Sequence, residues 1–72
     1  MNNLHIVRSP STGLARRTYR GKQWGVIVQQ DETSTCELLI FKTEAKAQKV
    51  CTAIGNLSAP LVHYVEKLKI SQ

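Results

Sequence analysis

The sequence is short of acid, of histidine and of cysteine, and each shortage narrows what the chain can do. Five of its 72 residues are Asp or Glu and two are His. General acid–base catalysis needs titratable groups paired in a pocket, and these seven are scattered along the chain. Asp31 and Glu32 are adjacent, but they fall in a polar stretch that reads as a solvated hairpin tip. His5 and His63 each read as lone structural histidines. Ser9 and Ser11 flank Pro10 in a turn without a GxSxG elbow, and the four glycines match neither GxGxxG nor a phosphate-binding loop ending in GK and a hydroxyl residue. The expectation is a protein that is not an enzyme and carries no cofactor.

Only two cysteines are present, Cys36 and Cys51, with no CxxC and no His pair at ligand spacing. Both sit in apolar runs and read as buried free thiols without a metal, a Cys36–Cys51 bridge being the alternative. No apolar run approaches the ~18 residues of a membrane span, and no basic segment followed by an apolar one opens the chain. A location in the cytoplasm, away from membranes, is expected, and free thiols fit its reducing conditions.

What the chain does have is positive charge, +5 net, unevenly spread. Residues 1–22 hold Arg8, Arg16, Arg17, Arg20 and Lys22 and no acid, residues 23–41 hold Asp31, Glu32 and Glu37 and no base, and the rest carries five lysines against Glu44 and Glu66. Arginine presents a planar fork suited to phosphate and carboxylate. Lys42, Lys46, Lys49, Lys67 and Lys69 are spaced like ordinary solvated charges.

No repeat, low-complexity tract or linker divides the chain, so residues 1–72 are read as one small basic domain. Leu4 to Val7 is a β-prone run ending in the turn cluster Arg8 to Gly13, and Leu14 to Arg20 is an extended polar stretch before a tight turn at Gly21-Lys22. From Trp24 to Gln30, Trp24, Val26 and Val28 alternate with Gly25, Ile27 and Gln29, the clearest strand signal. Gln30 to Thr35 closes a hairpin with Cys36 to Lys42, which is apolar on both faces and so expected to be a central or well-covered strand. Thr43 is an N-cap, and Ala47, Val50, Cys51 and Ile54 form a helical stripe ending at a Gly55-Asn56 C-cap. Leu61 to Ile70 fits a second helix through Leu61, Tyr64, Val65 and Leu68, with a strand through Val62, Tyr64, Leu68 and Ile70 as the alternative. The fold class is therefore α+β: a small antiparallel sheet of three strands packed on one helix, with a C-terminal second helix or strand.

The remaining constellation is Arg8, Arg16, Arg17, Tyr19, Arg20 and Lys22. Basic side chains attract phosphate independently of sequence, and an exposed aromatic ring can stack on a base. In a strand, Arg16 and Arg20 share a face with Thr18 while Arg17 and Tyr19 point the other way, and Trp24 continues the apolar face of Val26 and Val28 toward the core.

The stretch Tyr19-Arg20-Gly21-Lys22-Gln23-Trp24-Gly25-Val26, continued by Phe41-Lys42-Thr43-Glu44-Ala45-Lys46-Ala47, resembles the three-stranded-sheet-plus-helix domains of tyrosine recombinase arm-binding regions and of CedA-type bacterial cell-division activators. The resemblance covers residues 14 to 57 and implies DNA binding through the open face of the sheet, opposite the helix. In this chain Cys36 to Phe41 carries Glu37 and no base, and residues 58–72 could cover that face, which moves the expected contact to the arginine strip before Gly21.

Two functions fit these features. One is a nucleic-acid-binding accessory or regulatory protein that grips phosphate backbone, with DNA favoured over RNA. The other is a protein-interaction module, such as a phage or mobile-element inhibitor or adaptor, whose partner is a host protein or a nucleic-acid-handling complex. A homodimer would suit the surplus apolar surface of so small a domain.

Overall fold

Alternating and two-faced apolar segments of this kind must find cover on each side, and the architecture follows from how they do so. The computed structural model describes residues 4–19 and 21–71, the Ser71 side chain excepted. In chain order the elements are β1 (Leu4–Arg8), β2 (Ala15–Tyr19), β3 (Trp24–Gln29), β4 (Glu37–Phe41), α1 (Glu44–Ser58), β5 (Val62–Lys67) and β6 (Lys69–Ser71). They build two antiparallel sheets, a central one ordered β4-β3-β5 and an outer one ordered β2-β1-β6.

The central strand β3 is apolar on both faces and is covered on both. Trp24, Val26 and Val28 join Leu39, Phe41 and Val65 under α1, where Ala47, Cys51 and Ile54 meet them. On the opposite side Ile27 packs with Leu38, Val7 of β1 and Leu68. Val7, Val26 and Ile27 have no exposed surface at all. Helix, central sheet and outer sheet thus form three layers with two small cores, each buried apolar side chain contributing at most about 1.5–3 kcal/mol.

The expected single sheet is two sheets. β2 pairs with β1, from Leu4 opposite Tyr19 to Arg8 opposite Ala15, and not with β3 across Gly21-Lys22. The expected second helix at Leu61 to Ile70 is replaced by β5 and β6. The physical reason lies in β3, which is flanked on one edge by β4 and would expose its other ladder edge if the last segment were helical. β5 fills that edge over its whole length, from Trp24 opposite Lys67 to Gln29 opposite Val62. At Leu68 the chain turns from one sheet to the other: Leu68 is buried in the core, its N–H donates to the Gln23 carbonyl at 2.7 Å, and β6 then pairs with β1. Gly25 makes room for this crossing, because a Cβ there would lie 2.8 Å from both Leu38 Cδ1 and Leu68 Cδ2.

The helix starts as expected, with Thr43 Oγ1 accepting from the Lys46 N–H. Its end differs. α1 runs through Gly55-Asn56 to Ser58 and is capped by Ala59 in the left-handed region at φ 43°, followed by Pro60. Gly55 serves packing instead of termination, since a Cβ there would meet His63 Nε2 of β5 at 2.7 Å. Cys36 and Cys51 are free thiols on opposite sides of the central sheet, which removes the alternative of a bridge between them.

Candidate nucleic-acid interface

Strand register decides which way each cation of the outer sheet faces. Val7 points into the core and lies opposite Arg16, so Arg16 and Thr18 share the inward face. The outward face carries Ile6 opposite Arg17, Leu4 opposite Tyr19, and Arg8 flanked by Ala15 and Lys69. Arg8, Arg17 and Lys69 are all exposed; Arg8 and Lys69 stand at one end of the face, Arg17 beside a 37% exposed Ile6 in its middle, and a 65% exposed Tyr19 ring at the other end. No strand residue on this face is acidic, so its three cations stand unopposed within it.

The sequence candidates separate accordingly. Arg8, Arg17 and Tyr19 share the outward face, and Arg8 also steadies the β1–β2 loop by donating from Nη1 to the Gly13 carbonyl at 2.9 Å. Arg16 turns inward and donates from Nη1 to the Leu38 carbonyl at 3.1 Å, tying β2 to β4. Lys22 leaves the strip and lies beside the end of β4. Arg20 is outside the described residues. Lys69, grouped in the sequence with ordinary surface lysines, joins Arg8 only because β6 pairs with β1, and a strand assignment for the last segment was the one signal that could have found it.

A polar clasp ties the β1–β2 loop to β5. The Glu66 carboxylate of β5 accepts from the hydroxyl of buried Ser9, from the Ser11 hydroxyl at 2.9 Å and from the Ser11 N–H at 3.1 Å. The Ser11 and Tyr64 hydroxyls share a hydrogen bond of 2.6 Å. Backbone bonds from Ser9 N–H to Leu14 and from Gly13 N–H to Ser9 close the loop. The clasp thus engages Glu66 with neutral donors, while Arg8 and Arg17 stay on the outside.

Negative charge collects elsewhere, on the β3–β4 hairpin with Asp31, Glu32 and Glu37. Hydrogen bonds from the Thr33 and Ser34 side chains, and from the Thr33 backbone, hold the exposed Asp31 carboxyl below its ordinary value. The sheet face opposite α1, through which the family resemblance implies DNA contact, is covered here by β1 and Leu68. Among the described residues no group of three or more His, Cys, Asp or Glu is placed to hold a metal ion, and no helix is long and apolar enough to cross a membrane. No protein-family model, curated protein or solved structure matches the chain.

Proposed function

We propose that this domain binds nucleic acid, DNA in preference to RNA, through the outward face of β2-β1-β6. The observation that carries the reading is the acid-free outward face on which Arg8, Arg17 and Lys69, one from each strand, stand exposed, with the exposed Tyr19 ring at its Leu4 end. The three cations meet phosphates on neighbouring positions of the backbone, and Tyr19 packs on a sugar or an unpaired base. Such binding releases counterions, so affinity falls steeply with salt: each phosphate contact adds about 0.9 to the slope of log K against log salt on duplex DNA.

The test is fluorescence anisotropy with a labelled DNA duplex across a salt series, repeated with Arg17→Ala and Lys69→Ala combined. The double variant is expected to keep its fold and lower the salt slope by about 1.8, two contacts at roughly 0.9 each. An unchanged slope, or no binding by the parent protein at low salt, would dismiss the reading.

A second reading, a protein-interaction module, is favoured by Leu57 and Leu61 at the end of α1, which are 86% and 58% exposed. It predicts that protein bands recovered on the immobilised domain survive nuclease treatment and are lost from a Leu57→Ser, Leu61→Ser variant.

A further inference from the structure

Beside the end of β4 the fold brings Lys22, from a distant stretch of sequence, to a second set of cations. Lys22, half-buried after the turn at Gly21, comes together with Lys42 and Lys46 at the mouth of a cleft of about 220 Å³, whose other lining residues are Ile40 and Phe41. Three lysines line this concavity, and none of its described lining residues is acidic. Glu44, between two of the lysines in sequence, is not part of it.

Like charges placed together in a concave site repel one another, and a low-dielectric wall on one side strengthens the effect. An anion seated between the ammonium groups reverses the sign of that interaction. Lysine acts on phosphate as a point charge, without the geometric demand of a bidentate fork, which suits a site where three flexible stems converge. The size of the cleft limits the occupant: pockets for drug-sized molecules run to roughly 300–1,000 Å³, so this one takes no more than a phosphate with the part of a single unit next to it. Its two apolar lining residues, Ile40 and Phe41, are half-buried and leave an apolar edge for the part of the occupant beyond the anion.

We propose that the cleft is a phosphate site for a single nucleotide unit, with the phosphate among Lys22, Lys42 and Lys46 and the sugar or base against Ile40 and Phe41. The unit can be part of a nucleic-acid chain, since Lys22 follows the Tyr19 end of the outward face by three residues, or a free mononucleotide. The first source rests on the proposed function. The second does not.

The full domain, labelled with nitrogen-15, is titrated separately with thymidine monophosphate, with single-stranded oligothymidylate and with thymidine. Amide shifts at Lys22, Phe41 and Lys42 report the cleft, and those at Arg17, Tyr19 and Lys69 report the outward face, so failure of one site does not obscure the other. The expected result is saturable shifts at the cleft amides with a phosphate-bearing probe and none with thymidine. Shifts with the monophosphate assign a site for free nucleotide, and shifts with the oligonucleotide alone assign one for a chain. A Lys22→Gln, Lys42→Gln, Lys46→Gln variant is expected to weaken the binding roughly tenfold or more, the loss of at least one charge-assisted hydrogen bond. Cleft amides that respond to neither phosphate probe, or respond equally to thymidine, overturn the proposal without reference to any variant.

Discussion

Arg16 and Arg17 are chain neighbours of the same type, and the structure assigns them opposite work. Arg16 reaches inward to the Leu38 carbonyl, whereas Arg17 lies on the outward face opposite Ile6. Hydrogen bonds to charged groups contribute about 1.5–3 kcal/mol when buried, and Arg16 is exposed over much of its length, so Arg16→Ala is expected to cost about 1–1.5 kcal/mol. In a domain of this size 1 kcal/mol moves Tm by roughly 4–8 °C, which puts the expected fall at about 4–12 °C. Arg17→Ala removes no side-chain bond among the described residues, and surface substitutions of that kind stay within about 0.5 kcal/mol. On DNA the order reverses: Arg17→Ala lowers the salt slope by about 0.9 while Arg16→Ala leaves it unchanged. Thermal melts by circular dichroism and anisotropy titrations on the same two proteins supply both axes. Equal melting losses, or an equal change of slope in the two variants, would refute the division of labour drawn from the register.

Gly25→Ala forces a methyl group to within 2.8 Å of two buried leucine side chains, so overpacking should cost about 1–3 kcal/mol, read as a lower urea midpoint at constant m value; a midpoint equal to the parent's would mean that Leu38 and Leu68 do not meet there. Glu66→Ala takes the acceptor from Ser9 and Ser11 and should cost about 1–3 kcal/mol, with Glu66→Gln milder because one oxygen still accepts; a Gln variant as damaged as the Ala variant would place the effect in charge and not in the hydrogen bonds. Burial raises the Cys51 thiol above its ordinary value of 9.0, so its preference for the neutral form in the fold is fully present below that pH and declines as pH rises through the raised folded value. Mass spectrometry after brief alkylation should accordingly find Cys36 modified before Cys51, and equal rates at the two thiols would contradict the packing of Cys51 under α1.

The parts of this fold that were legible in the sequence are those fixed by neighbours along the chain. The period-two alternation of Trp24, Val26 and Val28 and the Thr43 cap are local signals, and the helix face of the central sheet follows from them. The last segment was ambiguous because Tyr64 and Leu68 suit a helical stripe and a strand face alike, and only the open edge of β3 selects between them. The Gly55-Asn56 pair mimicked a helix stop because a glycine needed for the approach of His63 has the same letter as one needed for a left-handed cap. At the candidate interface the alternation within β2 separated Arg17 and Tyr19 from Arg16, but nothing local could pair Lys69 with Arg8, or Lys22 with Lys42 and Lys46. Those juxtapositions are made by contacts between distant stretches of chain.

The pairing of residues 4–8 with residues 69–71 also sets a timetable. Synthesis delivers β1 and β2 first, and a two-stranded hairpin alone is at best marginally stable in water. Its sheet waits for β6, which can arrive only after β3, β4, α1 and β5 have left the ribosome and Leu68 has found its place over Gly25. The basic surface is therefore completed only once β6 emerges although most of it is encoded earlier, and until then a nascent chain lacks the finished surface with which to hold a polyanion.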